Sequence, residues 1–122
     1  MLTARDMQRL TGVHPDLIRV ISRAREAADF IVTEGLRTTE RQRQLVAAGA
    51  SQTMASRHLT GHAVDLAALV DGTVRWDWPL YDRLALAVKR AAVEEEVAIA
   101  WGGDWPKFRD GPHFELDRRK YP

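Results

Sequence analysis

The chain has 122 residues, 45% of them hydrophobic and 29% charged, which suits one soluble globular domain with a modest core. A formal net charge of +1 gives no basis for attraction to nucleic acid or to a membrane surface, and no run approaches the roughly 20 apolar residues that a bilayer span needs. With no cysteine, disulfides, thiolate zinc sites and cysteine nucleophiles are excluded, so a metal site must be built from histidine and carboxylate.

The opening stretch MLTARDMQRLTG carries acids and bases where a secretory signal needs an apolar core, so synthesis in a cytoplasm without an export address is expected. HPDLIRVISRAREAADF reads as a helix, because Leu17, Ile18, Ile21, Ala24 and Ala28 recur at steps of three and four and Pro15 stands where a first-turn proline is tolerated. DFIVTEG is a short β-branched strand closed by Gly35. TTERQRQLVAAGA opens with Thr39 and Gln42 at capping-box spacing and stops at Gly49, which predicts a short helix. Residues 50–61 are small and polar and read as loop. HAVDLAALV follows as a strand, and VDGTVRW holds the Asp-Gly of a tight hairpin. WPLYDRLALAVKRAAVEEE is the clearest helix, with Leu80, Leu84, Ala87, Val88 and Ala91 along one stripe. VAIAW, a Gly-rich loop GGDWPKFRDGP and a last strand HFEL complete the chain. Helices first and antiparallel strands later give an α+β domain over residues 1–122.

The stretch SRHLTGHAVD holds the first chemically informative cluster. An acid, Asp65, lies on a predicted core strand, where a charge is tolerated when it is paired or bound to a cation. His58, seven residues earlier, is placed to join it from the preceding loop. His62 competes, because His58 and His62 are four apart and would share a helical face, although Gly61 and the strand-like AVDLAALV argue against a helix there. In DGPHFEL, Asp110 stands three residues before His113 at the mouth of a strand. Two histidines and one carboxylate are a normal protein ligand set for catalytic zinc, with a fourth position left for a water whose pKa falls to about 7. Hydrolysis then needs a base beside that water, and Asp110 is the candidate; alone, Asp110 before Gly111 also fits an ordinary turn. Trp105 and Phe108, in the Gly-rich loop, are placed to flank a cleft, whereas Trp101, Trp76 and Trp78 read as packing, His14 as a surface residue and Glu94–Glu96 as a solvated face.

In order along the chain these residues resemble a known family. Ser56, His58, Gly61, Ala63 and Asp65 match the S-x-H-x-x-G-x-A-x-D pattern of the zinc-dependent peptidoglycan peptidases related to D-Ala-D-Ala dipeptidases and carboxypeptidases, and Asp110 with His113 matches their acid-x-x-His element. WGGDW at 101–105, followed by FRDGPHFEL, looks like the phage endolysin branch, the L-alanyl-D-glutamate peptidases. The matching motifs run from Arg37 to Leu116, about two thirds of the chain.

That resemblance implies a small antiparallel sheet flanked by helices, Hedgehog/DD-peptidase-like, with His58, Asp65 and His113 as zinc ligands and Asp110 as general base. It gives Arg37, in GLRTTERQ, a place near the substrate and the developing oxyanion, Ser56 a role in binding substrate or holding the His58 loop, and Trp105 a place against substrate. Asp104, in the WGGDW match, orients either the loop or a ligand. The implied activity is cleavage of the L-alanyl-D-glutamate bond in the peptide stem of bacterial peptidoglycan, lysing the host after the membrane is permeabilised. A monomer without a separate wall-binding domain is expected, with no nucleic-acid or membrane partner. The nearest rival is a D-Ala-D-Ala carboxypeptidase or dipeptidase using the same metal core; a zinc-binding module without catalysis and an Arg-rich nucleic-acid binder are more distant. The acid at 110 opposes the former, and the near-neutral charge opposes the latter.

Overall fold

A computed structural model describes residues 1–122 and has the α+β architecture expected. Four α-helices, α1 (Ala4–Arg9), α2 (Pro15–Arg25), α3 (Thr39–Ala47) and α4 (Trp78–Glu95), accompany five strands, β1 (Phe30–Glu34), β2 (Ala63–Val70), β3 (Thr73–Arg75), β4 (Ile99–Trp101) and β5 (His113–Leu116). Short 3₁₀ turns cover Arg57–Thr60 and Gly102–Asp104. All strand pairs are antiparallel, in the order β1-β2-β5-β4, with β3 also on β2. No helix is long and apolar enough to cross a membrane.

Strand β2 organises the molecule. It is buried over Ala63–Ala68 except at Asp65, and one edge pairs with β1 while the other pairs with β5 near its start and β3 near its end. Asp71 and Gly72 both have positive φ, as the two-residue hairpin turn between β2 and β3 requires. Helices α2 and α4 pack over the sheet through Leu17, Val20, Ile21, Leu84 and Val88, which meet Phe30, Leu66 and Phe114 in one apolar core. Burying each large apolar side chain contributes about 1.5–3 kcal/mol relative to exposure.

Several local expectations shift. Helix α1 escaped the periodicity reading because it has only six residues; it is set by a capping box in which Thr3 and Asp6 bond each other's backbone, and the buried Asp6 carboxylate also accepts from Val32 N at 2.9 Å. Helix α3 is capped by Thr38, not Thr39; its Oγ1 accepts from Arg41 N. Gln42 makes no cap, and its amide is buried against Arg37, Ser51 and Thr53. The buried stripe of α4 runs through Tyr81, Leu84, Ala85, Val88, Ala91 and Ala92, leaving Leu80 and Ala87 half-buried. Tyr81 moves the stripe because its hydroxyl links β2 to β3: it accepts from Ala68 N and donates to the Arg75 carbonyl. Segment 50–61 is loop only to Ser56, after which the 3₁₀ turn begins.

Candidate metal centre and substrate cleft

The register of the sheet assembles the site. Asp65 on β2 pairs with His113 on β5 and, across the other edge, with Glu34 on β1, so three functional side chains lie abreast. His58 reaches the same point from the 3₁₀ turn. That turn starts where Ser56 Oγ accepts from His58 N, and ends at Gly61, whose φ of +75° and whose approach to the Gly12 carbonyl leave no room for a Cβ. One potential ligand atom from each of His58, Asp65 and His113 lies within 4.8 Å of the other two.

The tautomers are fixed by what holds each ring from behind. His58 Nδ1 donates to the Gly35 carbonyl at 2.8 Å, so the lone pair of the neutral ring is on Nε2, 3.3 Å from Asp65 Oδ1. His113 Nε2 donates to the Glu115 carboxylate at 2.8 Å, which turns Nδ1 toward the same Asp65 oxygen at 3.5 Å. Two imidazole nitrogens and a carboxylate oxygen thus converge on one spot, with both outer N–H groups engaged. That donor set fits a divalent cation of borderline softness and leaves room for a further ligand.

The electrostatics agree. Burial alone would raise the Asp65 carboxyl, but hydrogen bonds to His113 and His58 outweigh it and hold Asp65 well below the ordinary carboxylate range. Burial would lower His113; Asp65 and Glu115 instead raise it to about 9. The spot therefore attracts positive charge, a proton when no metal is bound. Asp110 is shifted the opposite way, upward, first by burial and then by the negative charge of Asp65. Two neighbouring carboxyls with divergent affinities for protons suit division of labour between ligand and base.

Gly102 permits the closeness of Asp110 and His113. A Cβ there would stand 3.1 Å from the Cβ of each and 2.4 Å from the Asp110 carbonyl, and Asp110 N donates to Gly102 O at 3.0 Å. Both residues line an open cleft of about 500 Å³ that also includes Ser56, Trp105 and Phe108. Trp105 lies with its ring centroid 4.9 Å from that of His113, while Phe108 is exposed and held at φ +53°.

Arg37 is more constrained than a free substrate-binding arginine. Its buried guanidinium makes a two-point bond with Glu34 at 2.9 and 2.8 Å, donates to Gln42 Oε1 at 2.8 Å, and touches Asp65 Oδ2 at 3.4 Å. His62 points elsewhere, its Nδ1 against Thr60 Oγ1 and its ring 5.8 Å from that of His14. Asp104 is paired with Lys89 at 2.7 Å, which ties the Gly-rich loop to α4. His14 caps α2 with Nδ1, and Glu94 and Glu95 pair with Arg23, Glu95 also with Arg19. Trp101 is core, donating to the Gly111 carbonyl, but Trp76 is largely exposed against Tyr81. Sequence reading missed Glu34, Gln42 and Glu115, which act through other side chains; the one available hint was the alternation of HFEL, which puts Glu115 on the face of His113.

Residues 1–119 match the family model described as phage L-alanyl-D-glutamate peptidase. The chain belongs to this family. It is 32% identical over 120 residues to the L-alanyl-D-glutamate peptidase of Escherichia phage T5, covering 93% of this chain and 87% of that one. It is 39% identical over 93 residues to the L-alanyl-D-glutamate peptidase of Listeria phage A118, covering 76% of this chain, and it spans only about a third (32%) of that relative's length. The crystal structure of the Serratia marcescens L-Ala D-Glu endopeptidase ChiX superposes with a TM-score of 0.93 at 53% identity, over 99% of this chain and 92% of that one.

Proposed function

We propose that the protein is a zinc-dependent, endolysin-type peptidase that hydrolyses the L-alanyl-D-glutamate bond in the peptide stem of bacterial peptidoglycan. The observation that carries this reading is the convergence of His58 Nε2, His113 Nδ1 and the Asp65 carboxylate beside a base of raised proton affinity, in a chain of this family. His58, Asp65 and His113 would hold the metal. Zinc in such a set supplies a Lewis acid for the scissile carbonyl and brings a water's pKa to about 7.

The chain's own groups do the rest. Asp110 accepts a proton from the attacking water and delivers it to the amine that leaves, so the D-glutamate side of the substrate lies toward Asp110. Its raised proton affinity suits both halves of that exchange. Glu115 and the Gly35 carbonyl hold the two imidazoles in the tautomers described above. Arg37 steadies Asp65 and adds positive charge near the developing oxyanion; with its fork occupied by Glu34, it is not free to clamp a substrate carboxylate. Ser56 holds the His58 turn, and Trp105 offers an apolar face to the stem.

The protein acts as a monomer on the cell wall once the membrane is permeabilised, with residues 1–122 forming the catalytic domain. Digesting purified peptidoglycan with the full chain, with and without a chelator, and reading the fragments by mass spectrometry tests the proposal. A new D-glutamate amino terminus, lost with chelator, is expected. Release of terminal D-alanine would assign the carboxypeptidase activity instead, and an intact wall would refute hydrolysis.

A further inference from the structure

We infer that Arg109 is the specificity residue that reads the free carboxylate of the substrate's D-glutamate, an inference that rests on the function proposed above. Glutamate has two carboxyl groups and continues a peptide through one of them. The other remains as an anion a few bonds from the scissile amide unless it is amidated. A cleft that distinguishes this amide from others gains by placing a cation there, and a guanidinium fork is the side chain best matched to a carboxylate.

Four arginines line the cleft, and three have their charge committed. Arg37 is paired with Glu34 and Asp65. Arg57 donates to the carbonyls of Leu116 and Tyr121 and lies 4.0 Å from Glu115. Arg118 is 3.4 Å from Glu115. Arg109 alone among them forms no ion pair with a carboxylate. Its Nε donates to the Gly103 carbonyl at 2.8 Å, and its guanidinium carbon lies 4.4 Å from the ring centroid of Trp78. One edge bonded and one face stacked fix the plane of the group while leaving both terminal nitrogens for an incoming ligand.

Its position agrees with the chemistry. Asp110 follows it directly, and the amine that Asp110 protonates belongs to the D-glutamate whose carboxylate is to be read. Phe108, immediately before, holds the left-handed backbone that turns this segment, a conformation costly for a bulky residue and found where surrounding structure imposes it.

The test uses two synthetic stem tetrapeptides that differ only in whether the D-glutamate carboxyl is free or amidated, with the full zinc-loaded chain and three variants. For Arg109→Gln, kcat/KM should fall about tenfold to a hundredfold on the free acid and stay within about twofold on the amide, with the loss mainly in KM. Arg109→Lys should recover part of it, as a point charge without the fork. Equal losses on both peptides, no loss on either, or an acid-specific loss in Arg118→Gln with none in Arg109→Gln would each overturn the assignment. If the unaltered chain cleaves neither peptide, the proposed function falls and this inference falls with it. If it cleaves both and Arg109→Gln does not discriminate, the inference alone fails.

Discussion

The floor and the rim of the cleft are built on different terms. On the floor, Asp65 and His113 are neighbours in strand register, His58 is pinned by the Gly35 carbonyl, and both rings are buried. On the rim, Trp105, Phe108 and Arg109 sit on a loop, with Phe108 and Arg109 exposed and fixed by a few local contacts. A sheet has little freedom to move ligands relative to one another, which is what a metal with fixed bond lengths demands. A loop tolerates change without disturbing the core, which is what substrate choice demands. Substitutions on the floor should therefore alter metal and turnover together, while those on the rim should alter KM and leave metal untouched.

The sharpest break is expected from His58→Ala, which removes one of the three proposed ligands and leaves Asp65 with less to oppose its charge. Zinc content, read by plasma mass spectrometry, should fall from one per chain to near zero, and wall digestion should drop to background. Retention of one zinc would remove His58 from the proposed ligand set. Asp110→Asn separates chemistry from binding: zinc should stay at one per chain while kcat falls roughly 10²–10⁴-fold. Persistent turnover in that variant would remove Asp110 as the base.

These two predictions concern residues that the sequence showed plainly. His58, Asp65, Asp110 and His113 stand in short, ordered motifs, and helices α2 and α4 are written in their apolar spacing. The supporting residues were hidden for a physical reason. Glu34, Gln42 and Glu115 are ordinary polar residues until the sheet brings Glu34 to Asp65 and helix α3 sets Gln42 against Arg37, contacts without a local pattern. Likewise Thr38 and Thr39 are equivalent caps on paper, and backbone geometry chooses between them. Arg109 looked like any loop arginine, because what singles it out is the absence of an acid partner in space.

Glu115→Gln sharpens the boundary of the floor. It keeps the shape behind His113 but weakens the acceptor, so zinc affinity measured by chelator competition should fall about 10–100-fold with the fold intact. The pH response follows from the same pair. In the metal-free protein His113 is raised from 6.5 to about 9, so the stability its proton contributes is full below pH 6.5 and is lost as pH rises through 9. Zinc must displace that proton, so its affinity should climb with pH, by up to about tenfold per unit, and level off above about pH 9. A flat profile between 6.5 and 9 would contradict protonation of His113 in the empty site. The smallest effect is expected on the rim: Phe108→Gly should raise KM only a few-fold, leave zinc binding unchanged, and relieve backbone strain of about 1 kcal/mol, visible as equal or higher resistance to urea.

X-ray absorption spectroscopy of the zinc-loaded full chain reaches the central claim most directly. The expected first shell is two imidazole nitrogens, one carboxylate oxygen and one exchangeable water oxygen, all within about 2.0–2.2 Å of the metal. A shell of water oxygens alone, or one unchanged after His113→Ala, would show that these three side chains do not hold the ion.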